Sequence, residues 1–156
     1  MADQTTTVTV TTNTPGAAPI AAPPVGRIKT HRGVIKVILL SILTLGIYGI
    51  AFRAGIGNDM NVIASRYDGK KTMNYWLMAL VISPLTLFIG YLVWNHNLAK
   101  RIGAELKRRG IHFSFGAGTF WFWNIVGLLF AAGPFIYTSK LCKAMNKLAK
   151  DYNEKG

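Results

Sequence analysis

One cysteine, Cys142, stands among 156 residues, so no intrachain disulfide can staple the fold. Charge is scarce as well: 15% of the residues are charged, where a soluble domain carries about a quarter. Acids are the scarcest, six against 18 Lys and Arg, for a formal net charge of +12. None of the six (Asp3, Asp59, Asp68, Glu105, Asp151 and Glu154) falls inside an apolar stretch. Pumps, proton relays and intramembrane aspartyl proteases need acids at depth, so the pattern argues against those classes. The histidines His31, His96 and His112 lack metal-ligand spacing, and none adjoins Cys142. There is no G-x-S-x-G elbow and no phosphate-binding glycine loop. Ser41 and Lys36 lie five apart on poorly matched helix faces. The expectation is therefore a protein that is not an enzyme and carries no cofactor or metal. No secretory leader is expected either, because residues 1–26 hold no basic start and no continuous apolar core.

What the chain does have is apolar length, with 51% hydrophobic residues in three long runs. Residues 33–54 carry charge only at Lys36 and Arg53, near the ends, where both can snorkel. Residues 73–94 and 117–137 carry none. At about 1.5 Å per residue, each run matches a hydrocarbon core of about 30 Å. Tyr75, Trp76, Trp94, Trp121, Trp123 and Tyr137 gather near the run ends, as interfacial anchors do. The reading is an all-α membrane protein of three transmembrane segments, one domain over residues 27–156. A Thr-rich and Pro-rich tail, residues 1–26, has too little apolar area to fold and is read as disordered.

Each apolar run is followed by a polar stretch with helical periodicity, at about 55–67, 97–109 and 138–153. Ile56, Met60, Ile63 and Tyr67 share one face of the first, and Leu98, Ile102 and Leu106 one face of the second. Leu141, Met145, Leu148 and Tyr152 share one face of the third. These units align with one another. An offset of 42 pairs Thr44-Leu45 with Thr86-Leu87, Phe52 with Trp94, Ile56 with Leu98 and Met60 with Ile102. An offset of 85 pairs Phe52 with Tyr137, Ile56 with Leu141, Met60-Asn61 with Met145-Asn146 and Tyr67 with Tyr152. The string from Ser41 to Gly49 (SILTLGIYG), followed by Phe52 and Asp59-Met60-Asn61, resembles the bacterial membrane family catalogued as domain of unknown function 4234. The resemblance covers roughly residues 33–152 and is clearest in the first run. It implies a small multi-pass protein of bacterial origin and no transferable activity.

The candidate contacts follow from these patterns. Lys140, Lys143, Lys147 and Lys150 form a basic stripe opposite Leu141, Met145, Leu148 and Tyr152, while Arg101, Lys107 and Arg108 oppose Leu98, Ile102 and Leu106. Basic faces opposite apolar ones suit helices lying in a headgroup plane, which makes these seven residues the candidate contacts to anionic lipid. Packing of the apolar faces on a partner or on each other is the competing reading. Gly46, Gly49, Ala51, Gly55, Ala79, Ser83, Gly127 and Ala131 are candidate close-packing positions, with Asn124 an interhelical hydrogen bonder. Pro84 and Pro134 are expected kinks; a re-entrant hairpin is the other arrangement a midpoint break allows. Basic residues divide evenly between the two sides of a three-span topology, so charge does not orient it; the basic run Arg27 to Arg32 before the first span favours a cytoplasmic N-terminus and a C-terminus outside. The expected function is non-catalytic: an accessory or scaffold protein of a bacterial cell membrane, engaging anionic lipid, a second copy or another membrane protein, and no nucleic acid. A small holin-like pore and a transport-associated subunit are the alternatives.

Overall fold

The computed structural model describes residues 23–156, and those residues form helices with no strand among them. The tail expected to be disordered lies outside the described residues over 1–22. Its last part is described: the Arg66 guanidinium donates to the Pro23 carbonyl at 3.0 Å, and the Val25 N–H donates to the Tyr152 hydroxyl at 3.0 Å.

The three expected spans are corrected by this structure: no helix among the described residues is long and apolar enough to cross a membrane. Each apolar run is broken near its middle and folds back. In the first, α1 (Val34–Leu43) ends at a turn and α2 (Ile47–Asp68) returns. In the second, an arm runs through α3 (Tyr75–Leu77), a π-helical turn (Met78–Ile82) and α4 (Ser83–Leu85) before α5 (Ile89–Arg108) returns. In the third, α6 (Ala117–Trp121), a π-helical turn (Phe122–Val126) and a 3-10 turn (Gly127–Phe130) precede α7 (Gly133–Lys155). The reversals are tight. A Cβ on Gly49 would sit 3.1 Å from Ser41 Oγ, and one on Gly90 2.9 Å from Ile82, residues eight apart in each case.

The first two turns are the same turn, bond for bond, 42 residues apart. Thr44 and Thr86 each leave the helix with nearly equal dihedrals (φ −100°, ψ 20° and φ −103°, ψ 18°). Each hydroxyl donates four residues back, to Leu40 O at 2.6 Å and Ile82 O at 2.7 Å, and accepts from the amide four residues on, Tyr48 or Gly90, at 2.9 Å. Leu45 and Leu87 both take φ 49°. The next residue is also left-handed, Gly46 in one and Phe88 in the other. The third turn lacks the threonine and reverses at Ala131, φ 54°. The two prolines expected as kinks stand near the reversals. Pro84 lies two residues before a reversal, and Pro134 is at the start of α7, where its missing N–H costs no helical bond.

The rods α2, α5 and α7 run in the same direction. Near their C-terminal ends, Arg108 lies 3.5 Å from the centre of the Tyr67 ring, and Arg109 bonds Asp151 at 2.9 Å. Near their N-terminal ends, Arg53 stacks toward Tyr91. All three apolar turns therefore sit at one end of the bundle. The other end holds the core: Ile56, Met60 and Ile63 meet Leu98, Ile102 and Leu106, and Leu141, Met145 and Leu148, all buried. The apolar faces pack on each other, as the competing reading of the periodicity had it.

Each segment leading into a hairpin is held by the rod of the repeat before it. Asn61 on α2 donates to Thr72 O at 3.0 Å and accepts from Thr72 N at 2.6 Å. Asn146 on α7, at the aligned position, does the same for Arg32, at 3.2 and 3.0 Å. On α5 the aligned residue is Gly103, which has no side chain; a Cβ there would strike the Phe115 carbonyl oxygen. The lead-in passes directly over its backbone. With α1 lying against α7, the three repeats close into a ring.

Candidate functional site

The apolar end of the bundle is the most unusual surface of the molecule. Leu45 is 95% exposed, Leu87 85% and Leu129 83%, and Leu43, Leu85, Phe88 and Phe130 stand open beside them. These residues occupy the tips of three hairpins, so together they make one contiguous apolar end. A surface of that kind marks contact with a membrane or another protein. Among the described residues no acid lies there: Asp59 bonds Arg32, Asp68 bonds Arg101, Glu105 bonds Arg108 and Arg109, Asp151 bonds Arg109 and Lys155, and Glu154 is near the C-terminal end of α7.

The expected headgroup contacts separate into two groups. Lys107, Lys143, Lys147 and Lys150 are exposed and in no ion pair among the described residues. Lys140 is partly exposed, 6.0 Å from the Trp123 ring centre. The stripe opposite them, Leu141, Met145, Leu148 and Tyr152, is buried against the protein, so it does not offer a face to acyl chains. Arg101 is drawn inward. Its guanidinium bonds Asp68 through Nε at 2.7 Å and reaches Asn61 Oδ1 and Thr72 Oγ1 at 2.7 Å each. Arg108 bonds Glu105 and stacks on Tyr67.

The small residues also divide. Gly49 packs on Ser41, and Gly127 on Gly133, inside their hairpins. Ser83 is buried with its hydroxyl 3.1 Å from Met78 S, and Ala79 packs against the core. Gly46 and Ala131 serve the turns. Ala51 and Gly55 are exposed, and Gly55 has open space above it. Asn124 is half-buried, and its amide nitrogen has no partner among the described residues.

Burial sets the ionisation of the remaining groups. It raises the Cys142 thiol to about 11, which keeps it neutral and unreactive. It likewise raises Asp59 despite the neighbouring Arg32. At Asp68 and Asp151 burial pushes upward too, but bonds from Arg101 and Lys70 at one, and from Lys155 and Arg109 at the other, outweigh it and hold both carboxyls low. No group of three or more metal ligands occurs among the described residues.

Two grooves occupy equivalent places in the first two repeats. One, of about 840 Å³, runs between the lead-in at Asp68–Met73 and α5. The other, of about 480 Å³, runs between the lead-in at Arg27–Gly33 and α2. Tyr48, Ala51, Phe52 and Ile56 line the second; Gly90, Val93, Trp94 and Leu98, each 42 residues on, line the first. Sequence reasoning missed these grooves, the asparagine clamps and the buried Glu105. The pairing of Met60-Asn61 with Met145-Asn146 was the available signal for the clamps. Aligning Glu105 with Ile63 and Leu148 marks it as the acid in a core position.

Residues 32–104 match the model of a family described as Domain of unknown function (DUF4234). The match takes in the first hairpin with its rod, and the second nearly to the end of α5. No curated protein and no solved structure matches the chain significantly.

Proposed function

We propose that this chain is a non-catalytic protein of a bacterial cell membrane that seats three apolar hairpins in one leaflet and sets its lysines among anionic headgroups. The observation that carries this reading is the placement of three exposed apolar turns at one end of a parallel bundle. The ten residues of α1 reach about 15 Å at 1.5 Å per residue, half of a hydrocarbon core of about 30 Å. Backbone N–H groups at the first two turns are bonded inside their hairpins, which hydrocarbon requires. Sinking the seven large tip side chains is worth on the order of 10 kcal/mol before ordering costs. Exposed lysines contribute roughly 1 kcal/mol each against an anionic surface. The scaffold role then belongs to the face turned to water, and the alternatives of a pore or a transport subunit lose the crossing segments they rest on.

Depth measurement tests the reading. Spin labels at Leu45→Cys and Leu129→Cys, in a Cys142→Ala background, are expected within the hydrocarbon of a single leaflet when the protein meets vesicles of mixed anionic and neutral lipid. Labels that stay open to an aqueous relaxation agent would remove the membrane reading.

A further inference from the structure

The larger groove has the polarity of a single amphiphile. At its upper end stand Lys70, Lys71 and Lys100, all exposed. The only acid in the groove, Asp68, is engaged by Arg101 through both oxygens, at 2.7 and 3.0 Å. Arg101 also donates to the Lys70 carbonyl, and Ser65 Oγ does so at 2.7 Å, so the backbone that carries the two lysines is pinned from beneath. The cationic end is thus a built feature with its charge uncancelled. Below it the wall turns apolar through Met73, Val93 and Trp94 and continues past Gly90 to Ile82 and Ile89 beside the hairpin tip. From Ala104 to Ile89 the rod extends about 22 Å at 1.5 Å per residue, more than the depth of one leaflet's hydrocarbon.

We propose that the groove between the Asp68–Met73 lead-in and α5 binds one anionic phospholipid, with its phosphate at Lys70, Lys71 and Lys100 and an acyl chain along Val93, Gly90 and Ile82. The inference rests on the membrane reading above. A peptide would not need cations at one end only and a trough that opens at an apolar tip; a lipid needs both. The repeat supports the assignment. The groove at α2 has the same order, with Arg27, Lys29 and Lys36 above Val37 and Phe52, and is smaller, with Tyr48 lining it where the second repeat has Gly90. At Gly90 no side chain enters the groove, and the hairpin arm closes on the backbone there: a Cβ would meet Ile82 at 2.9 Å and Thr86 Oγ1 at 3.0 Å.

The test uses the full chain in a mild non-ionic detergent, with retained lipid counted by native mass spectrometry. With phosphatidylglycerol and phosphatidylcholine of identical chains, the protein is expected to keep one phosphatidylglycerol at least tenfold better. The triple variant Lys70→Gln, Lys71→Gln, Lys100→Gln is expected to lose that preference, and the triple Lys→Arg variant to keep it. Val93→Trp fills the groove from its exposed wall and is expected to cut retention of both lipids about tenfold. Helical content by circular dichroism certifies each variant as folded. Unchanged retention in Val93→Trp, unchanged preference in the Gln variant, or equal retention of glycerol phosphate without chains would overturn the proposal. The depth labels at Leu45 and Leu129 read separately. Labels at depth with no lipid retained in detergent sink the groove and leave the hairpins; lipid retained with labels in water does the reverse.

Discussion

Gly127 and Gly133 meet across the third hairpin with their backbones in contact. A Cβ on Gly127 would stand 2.7 Å from Gly133 Cα, and one on Gly133 would strike the Trp123 carbonyl oxygen. No flexible side-chain end is available to move aside. Gly133→Ala is therefore expected to cost more than the usual overpacking penalty, about 3 kcal/mol or above. Chemical unfolding in detergent, followed by tryptophan fluorescence, measures it. Gly55→Ala, with nothing within 4 Å, is the control and should be neutral or slightly stabilising.

On the proposed reading the hairpin tips contribute to membrane contact and not to packing. Leu87 is 85% exposed, so Leu87→Glu should leave unfolding in detergent unchanged. In vesicle co-sedimentation the same change puts a carboxylate into hydrocarbon and removes a leucine, about 2 kcal/mol or more, roughly a thirtyfold loss of partitioning. Equal partitioning of Leu87→Glu and the parent would mean that this tip does not enter lipid.

The asparagine clamps make a local prediction. Asn146→Ala removes both bonds to Arg32, and Asn61→Ala both bonds to Thr72, each at a cost of about 2 kcal/mol. Hydrogen exchange should speed at the Arg32 amide in the first variant and at Thr72 in the second, with no crossover. Uniform acceleration across the chain would mean that the clamps act only through global stability.

Acid should destabilise the far end of the bundle through Asp151. Its folded carboxyl is held below the ordinary range, so its contribution is present above pH 4 and lost as pH falls through the folded value. Asp151→Asn is expected to cost about 2 kcal/mol at pH 7, because Arg109, 4% exposed, keeps only Glu105 as an ionic partner. Once the pH has fallen through the folded value of Asp151, the two proteins should converge. Asp59 has the opposite sign: burial raises its carboxyl, so stability declines as pH rises through that group, and Asp59→Asn should flatten that part of the profile.

The helical rods and their core were legible in the sequence, because a spacing of three and four leaves no other way to bury Ile56, Met60 and Ile63. The repeat was legible through the same residues. The hairpins were not, and the reason is chemical. Turns in water announce themselves with Gly, Asn, Asp or Pro; here, apart from Gly46, the reversing positions are Leu45, Leu87, Phe88 and Ala131, apolar residues with positive φ. A run of 22 apolar residues has the same composition whether it crosses once or goes in and returns. Thr44 and Thr86 were the visible difference, since a threonine bonding both ways closes a helix end that Leu cannot. The cationic residues were found by their helical face, but a face does not say which cations an acid will claim. Asp68 claims Arg101 and leaves the lysines beside it open.

The clamps at Arg32 and Thr72, with the close seat of Phe115 on Gly103, make the three seams of the ring alike in kind. A repeat knows its neighbour by that seam and not by the peptide that happens to join them. The point at which the chain enters the ring is therefore interchangeable. A permuted gene with Lys155 linked to Arg27 by a short flexible stretch, and opened at Gly110, where φ is 66° and space is open, would place the third unit first and close the same ring.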